Sequence, residues 1–192
     1  MNLPNKLSLL RIFLIPVMMF FYLADFVPYG KIIAIAVFII AAFTDFLDGK
    51  IARKYNLVTN LGKLLDPIAD KLLVISALLL VVVDGTIPHP YGVIVAIIII
   101  GRELLISAFR QIAASQNVVM AADMFGKIKT FIQDIALPIL FLLSFLTYNV
   151  TVDATVLLIV QIVGSVAIGL ATLFTILSGA NYIIKNKNVL KG

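Results

Sequence analysis

Cysteine and tryptophan are absent from this 192-residue chain, and histidine occurs only once, at His89. The lack of cysteine excludes disulfides, thiolate metal sites and cysteine nucleophiles. A zinc site of the Cys/His type is also excluded, because His89 has no second ligand of these kinds. Charged residues are scarce as well, at 13% of the chain against 62% hydrophobic residues. So little polar surface cannot cover a water-soluble globule of this size, and the sequence predicts an integral membrane protein.

The hydrophobic residues fall into six long runs, each near or above the length of about 20 residues that a helix needs to cross a bilayer. None of the runs shows the ten-residue alternation of a membrane β-barrel, so helices are expected. The connections between them are short and contain proline, glycine or aspartate. We therefore predict an all-α integral membrane protein with one domain, residues 1–192. Its six transmembrane helices are expected near residues 9–25, 32–53, 64–83, 91–113, 125–147 and 154–184.

Basic residues are distributed unequally between the two sides of the predicted membrane. Of the 15 lysines and arginines, only Lys31 falls on one side of the six-span arrangement. Cytoplasmic segments are the ones that carry an excess of lysine and arginine. Both termini are therefore expected in the cytoplasm, together with the connections between spans 2 and 3 and between spans 4 and 5.

Four aspartates lie close together at the cytoplasmic end of spans 2 and 3: Asp45, Asp48, Asp66 and Asp70. The first two are three residues apart and the last two are four apart, so each pair lies on a single face of its helix. Consecutive helices joined by a short connection are antiparallel neighbours, and the four carboxylates are expected to converge between them. Because so much negative charge is unfavourable at low dielectric, it needs compensation.

Three kinds of compensation are open: protonation, ion pairs with nearby lysines and arginines, or bound divalent cations. Carboxylate oxygens favour magnesium, manganese or calcium over zinc or copper, and four of them suit a two-metal site. The small residues Gly49 and Gly62 would let a ligand approach the backbone closely. Arg53 offers a planar donor fork suited to phosphate. The plainer interpretation, aspartates at helix ends satisfied by lysines, does not explain the whole set.

The run Asp45, Asp48, Gly49, Ala52, Arg53, Gly62, Asp66, Asp70 resembles, at every position and spacing, the signature of the CDP-alcohol phosphotransferases. Members of this family have six transmembrane helices, are usually homodimeric, and transfer a phosphatidyl or similar group from a CDP-linked donor to an alcohol, with release of CMP.

The resemblance implies a role for each matching residue. The four aspartates would bind two divalent cations, Mg²⁺ or Mn²⁺, and Asp70 would also be the catalytic base. The donor site would comprise Gly49, Ala52, Arg53 and Gly62. The N-terminal segment NLPNKLSLLR resembles the family's entry segment, which would place Asn5 and Ser8 near the nucleotide, although a polar helix start with a capping Ser or Asn explains these two residues equally well.

The signature does not specify the alcohol, but basic residues in two other spans favour an acceptor that carries phosphate. These residues are Arg102, Arg110, Lys127 and Lys129. The stretches GRELLISAFRQIAAS and FGKIKTFIQDIALP also resemble bacterial phosphatidylglycerophosphate synthases. The expected substrates are therefore CDP-diacylglycerol and sn-glycerol 3-phosphate, in the cytoplasmic membrane of a bacterium. Membrane lipid and a second copy of the chain are the expected partners, and no nucleic acid is. Glu103 and Asp134 are expected to pair with the cations.

Two alternatives remain open at this point. The same chemistry could serve another acceptor, namely serine, inositol phosphate or phosphatidylglycerol. A divalent-cation transporter would explain the aspartates, but it would give no role to Gly49, Ala52, Arg53 and Gly62. It would also require more polar residues across the spans than Gln133, Asp134 and Gln161.

Overall fold

The computed structural model of the chain describes the backbone of residues 3–54, 60–115 and 124–185. Within these ranges the side chains of residues 3–4, 45–54, 60–61, 63–64 and 114–115 are not described. The described residues form six α-helices and no strand. The helices are α1 (Leu3–Leu23), α2 (Gly30–Lys54), α3 (Asn60–Val83), α4 (Tyr91–Ser115), α5 (Met124–Tyr148) and α6 (Ala154–Lys185).

The helices confirm the number predicted from the sequence, and five of the six begin within four residues of the predicted positions. The difference is at the start of α1, which begins at Leu3 rather than near residue 9. The polar segment before residue 9 had been left outside the apolar run. It continues the helix because Pro4 lies in the first turn, where a missing N–H group costs nothing.

Among the residues that the structure describes, four helical segments are long and apolar enough to cross a membrane: Asn5–Leu23, Tyr91–Ala113, Met124–Tyr148 and Ala154–Lys185. Gly30–Thr44 is a shorter apolar segment. Many large apolar side chains face outward, for example Phe13, Ile97 and Phe131, each at least 66% exposed. A surface of this kind suits lipid, so these features are those of a membrane protein.

The strongest packing between helices involves consecutive pairs at the two ends of the chain, α1 with α2 and α5 with α6. α1 packs against α2 and α3, while α5 packs against α6 and α2. A Cβ atom on Gly30 would lie 2.4 Å from the carbonyl oxygen of Phe21, so only glycine permits this approach of α2 to α1. Gly164 allows similarly close packing of α6 on Leu140 of α5, with 3.1 Å between a Cβ atom there and the leucine Cδ2. Gly164 therefore makes a contact between two helices of the same chain.

The centre of the bundle is an apolar layer built from α1, α2, α3 and α5. Tyr22 and Phe38 contact Phe141, with ring centroids 4.5 Å and 6.2 Å apart respectively. Met18 and Leu78 are fully buried beside them. In a bilayer the alternative to these contacts is contact with lipid, so close packing rather than removal from water holds the side chains together.

A polar network closes one end of the bundle, where α3 ends. The Asp84 carboxylate accepts hydrogen bonds from Tyr22 (2.5 Å), Thr86 (2.6 Å) and Ser144. Lys31 donates to Ser144 at 2.6 Å, and its Nζ lies 3.6 Å from the Asp84 carboxylate. Burial raises the pKa of Asp84, but the hydrogen bonds outweigh it and hold the pKa below its usual value. The network ties α1, α2 and α5 to the end of α3.

Candidate active site

Asp66 and Asp70 lie one turn apart in the first half of α3, and both are partly buried. Asp70 faces a cavity of about 500 Å³, which Pro67 and Lys71 of the same helix also line. Helices α4 and α5 supply the other walls. The cavity therefore brings one of the four aspartates together with residues that are more than thirty positions away in the sequence.

The first helix contributes polar side chains to the same end of the bundle. Asn5, Ser8 and Arg11 are at most 4% exposed. The Ser8 hydroxyl donates a hydrogen bond to Asp66 Oδ1. Gly62 is buried near the start of α3. The hydrogen bond between Ser8 and Asp66 holds the start of α1 against α3. The placement of Asn5 and Ser8 near a nucleotide stays a prediction.

The other residues of the signature lie on the last three turns of α2. The side chains of Asp45, Asp48, Gly49, Ala52 and Arg53 are outside the described part of the chain. The backbone places them on a helix that packs against α3. The predicted convergence of the four carboxylates therefore remains a prediction.

Three of the four cations assigned to the acceptor line the large cavity with Asp70. Arg102 and Arg110 come from α4 and Lys127 comes from α5. Lys129 instead lines a smaller adjoining cavity of about 20 Å³. It is only 3% exposed, and its Nζ lies 2.7 Å from Glu103 Oε1. Lys129 is therefore buried beside the large cavity and does not line it.

Glu103 compensates two of these cations, as the sequence predicted. Its Oε1 accepts hydrogen bonds from Arg102 Nη1 at 3.0 Å and from Lys129 Nζ at 2.7 Å. Since Lys129 is buried, its charge requires such a partner. Asp134, the other predicted partner, lines the large cavity.

Arg102 lies in a narrow space formed by α5 and α6, which the sequence analysis did not identify. Its Nη2 donates to Ser178 Oγ at 2.5 Å. A Cβ atom on Gly126 would lie 3.3 Å from the same Nη2, and one on Gly179 would lie 3.3 Å from Arg102 Cγ. These short approaches fix the path of the arginine side chain. The only sequence signal is the segment SGAN, which interrupts the apolar residues of α6.

Tyr182 of α6 is a second contact that the sequence did not reveal. Its hydroxyl accepts a hydrogen bond from Arg110 Nε at 3.3 Å, and the guanidinium carbon lies 5.7 Å from the ring centroid. The ring also packs edge-on against Phe109. Helix α6 thus supports both arginines of the cavity.

A family model described as CDP-alcohol phosphatidyltransferase matches residues 1–177. The chain belongs to this family. The resemblance identified from the aspartate signature is therefore confirmed.

Individual family members resemble the chain over nearly its full length. A protein of Bacillus subtilis (strain 168) named CDP-diacylglycerol--glycerol-3-phosphate 3-phosphatidyltransferase is 41% identical, over 99% of this chain and 97% of that protein. A protein of the same name from Rickettsia bellii (strain RML369-C) is 37% identical, over 94% and 93% respectively. A probable phosphatidylglycerophosphate synthase of Mycobacterium tuberculosis (strain CDC 1551 / Oshkosh) is 34% identical, over 96% and 81%.

Proposed function

We propose that this chain transfers the phosphatidyl group of CDP-diacylglycerol to sn-glycerol 3-phosphate, giving phosphatidylglycerophosphate and CMP. The observation that carries the proposal is the cavity in which Asp70 lies with Arg102, Arg110 and Lys127. It combines a candidate base with cations for a phosphate-bearing acceptor. The family and the names of the relatives at 37–41% identity support the same reaction.

The cavity suits a small anionic alcohol. Its volume of about 500 Å³ is in the range of small-molecule sites, and four cations from three helices line it: Lys71, Arg102, Arg110 and Lys127. Arginine binds phosphate through paired N–H donors, whereas lysine provides a compact charge. These cations outnumber the three carboxylates that also line the cavity, Asp70, Glu103 and Asp134, so the cavity favours an anionic acceptor over a neutral one. The phosphate of glycerol 3-phosphate is expected to lie between Arg110 and Lys127, with Arg102 held in place by Glu103 and Ser178.

The residues present fit the divalent cations on which the family generally depends. Asp66 and Asp70 lie one turn apart on α3, and the helix that carries Asp45 and Asp48 packs against α3. These four carboxylates would hold two Mg²⁺ or Mn²⁺ ions, since such ions prefer oxygen ligands. When bound, the ions would supply positive charge to the pyrophosphate and to the departing CMP. Ser8 contributes by holding the Asp66 carboxylate in one orientation.

The side chains of the site divide the reaction between them. Asp70 accepts the proton of the acceptor hydroxyl as its oxygen forms a bond to the phosphatidyl phosphorus. The bond from that phosphorus to the CMP oxygen breaks, and CMP leaves. The acceptor's phosphate contacts fix the direction of attack, and such positioning contributes strongly to rate. The donor site is assigned to Asn5, Ser8, Gly49, Ala52, Arg53 and Gly62.

The wider arrangement is also part of the proposal. The chain would form one domain, residues 1–192, with six transmembrane helices, both termini in the cytoplasm and the site facing the cytoplasm. It would be a multi-pass homodimer in the cytoplasmic membrane of a bacterium, and the diacyl chains of the donor would reach the site from the bilayer. The strong basic excess on one side supports this orientation.

The proposed function is tested by CMP release from the purified protein in detergent, with CDP-diacylglycerol and either Mg²⁺ or Mn²⁺. We expect release with glycerol 3-phosphate and none with serine, inositol phosphate or phosphatidylglycerol. Release with one of these instead would retain the family chemistry and replace the acceptor. An absence of release with every acceptor would remove the enzymatic proposal and leave the transport alternative.

Arg110→Ala is expected to raise the KM for glycerol 3-phosphate by about tenfold or more, because one charge-assisted contact to phosphate is worth about 1.5–3 kcal/mol. The KM for CDP-diacylglycerol should change much less. Initial rates of CMP release with each substrate varied in turn provide the measurement. Lys185→Ala, which removes an exposed cation from the end of α6, is the control and should leave both values unchanged. An Arg110 variant with an unaltered KM for the acceptor would show that Arg110 does not bind it.

A further inference from the structure

Gln133 of α5 is a buried amide for which the described residues provide no hydrogen-bond partner. The side chain is 1% exposed, and both Nε2 and Oε1 lack a partner there. A buried polar group left in this state costs about 1–3 kcal/mol, so it needs a bound group to satisfy it. The sequence had shown Gln133 as one of few polar residues deep in the spans, without a role.

The amide faces a small cavity between three helices. Its walls include Asp70 and Val74 of α3, Glu103 of α4, and Lys129 of α5. Asp70 and Glu103 also line the large cavity, so the two spaces adjoin. The small cavity measures about 20 Å³. That volume accommodates one oxygen atom and is too small for a phosphate.

A single group that satisfies Gln133 must both accept from Nε2 and donate to Oε1. A hydroxyl does both, whereas a carboxylate or a phosphate oxygen only accepts. Lys129 cannot supply an acceptor, since an ammonium group only donates, and it is paired with Glu103. The chemistry of the cavity therefore selects a hydroxyl oxygen, either from the acceptor or from water.

The acceptor has two hydroxyl groups, and only one of them attacks phosphorus. The attacking oxygen must meet the phosphorus of the donor, so it belongs in the large cavity. The other hydroxyl, on the adjacent carbon, lies within a few ångströms and can enter the small cavity beside Asp70. We infer that Gln133 is a specificity-determining residue, which binds the non-reacting C2 hydroxyl of glycerol 3-phosphate. This inference rests on the proposed function.

The test compares glycerol 3-phosphate with 3-hydroxypropyl phosphate, which has the reacting hydroxyl and the phosphate but lacks the C2 hydroxyl. For the unmodified protein we expect kcat/KM to be about tenfold or more lower with the analogue, because it leaves Gln133 unsatisfied. In Gln133→Met, which keeps the size of the side chain but removes the amide, the two acceptors should be used about equally. The two values of kcat/KM should become equal because the value for glycerol 3-phosphate falls, while the value for the analogue changes little.

Gln161→Met is the matched control, since Gln161 is an exposed glutamine of α6 and should keep the discrimination of the unmodified protein. If Gln133→Met does not fold, Gln133→Asn withdraws the amide by one methylene and should reduce the discrimination. Equal use of both acceptors by the unmodified protein would overturn the inference. So would full discrimination in a folded Gln133 variant, which would assign the cavity to a water molecule. A failure of the proposed function is distinct, because CMP would then not be released with glycerol 3-phosphate at all.

Discussion

Asp70→Asn is expected to lower kcat by about two to four orders of magnitude, the range typical of a lost general base. Asparagine has nearly the same size and retains one oxygen toward the cavity, but it cannot accept the proton of the acceptor hydroxyl. The other three carboxylates of the proposed metal site remain, so much of the binding of CDP-diacylglycerol should persist. Rates of CMP release, together with a dissociation constant for the donor measured at equilibrium, test both parts of the prediction.

Asp66→Asn provides the comparison, because Asp66 lies one turn away and is assigned only to metal binding. This change should weaken donor binding and turnover together. If Asp70→Asn lost donor binding to the same extent as Asp66→Asn, the separate role of Asp70 as a base would be rejected. The pair thus separates proton transfer from the binding of the pyrophosphate.

Glu103→Gln is expected to reduce the free energy of unfolding by about 3–5 kcal/mol, the usual cost of removing one partner from a buried ion pair. Lys129 is 3% exposed, so its charge would remain buried opposite a neutral amide. The apparent melting temperature in detergent, followed by circular dichroism, should fall by several degrees.

The control is a double variant that carries Lys129→Met in addition to Glu103→Gln. The double variant has no buried lysine to compensate, so its melting temperature should recover a large part of the loss, although Arg102 also loses its contact with Glu103. Residues in direct contact are expected to interact energetically. If the decreases in melting temperature caused by Glu103→Gln and Lys129→Met simply added in the double variant, the proposed coupling between the two residues would be contradicted. An unchanged melting temperature in Glu103→Gln would show that water reaches Lys129.

The sequence was sufficient to predict the six helices because each apolar run has the length of a membrane span and the connections contain clear turn residues. It could not predict the start of α1, where polar residues such as Ser8 and Arg11 are buried rather than exposed. Hydropathy records the character of a residue, whereas burial depends on the neighbouring helix. Ser8 is buried because Asp66 of α3 accepts its hydrogen bond.

The grouping of Arg102, Arg110 and Lys127 in one cavity followed the sequence argument, although their roles await experiment. The position of Lys129 did not follow, because charge alone does not distinguish a residue that faces a cavity from one that is paired in a helix interface. The contribution of α6 was also missed. An apolar helix shows little contrast between its faces, so nothing in the sequence marked Ser178 and Tyr182 as the residues that contact the arginines.

The apolar layer formed by Met18, Phe38, Leu78 and Phe141 has an electrical consequence. It separates the charged cavity from the polar network at Asp84, which lies roughly 20 Å further along α3 from Asp70, at a rise of about 1.5 Å per residue. In the proposed six-span arrangement a transmembrane voltage would fall across this layer, because the described residues of the layer offer no polar path. The cavity would then take the potential of the solution on its own side. Anionic substrates would enter and leave it without the work of about 2.3 kcal/mol per charge that crossing 100 mV requires.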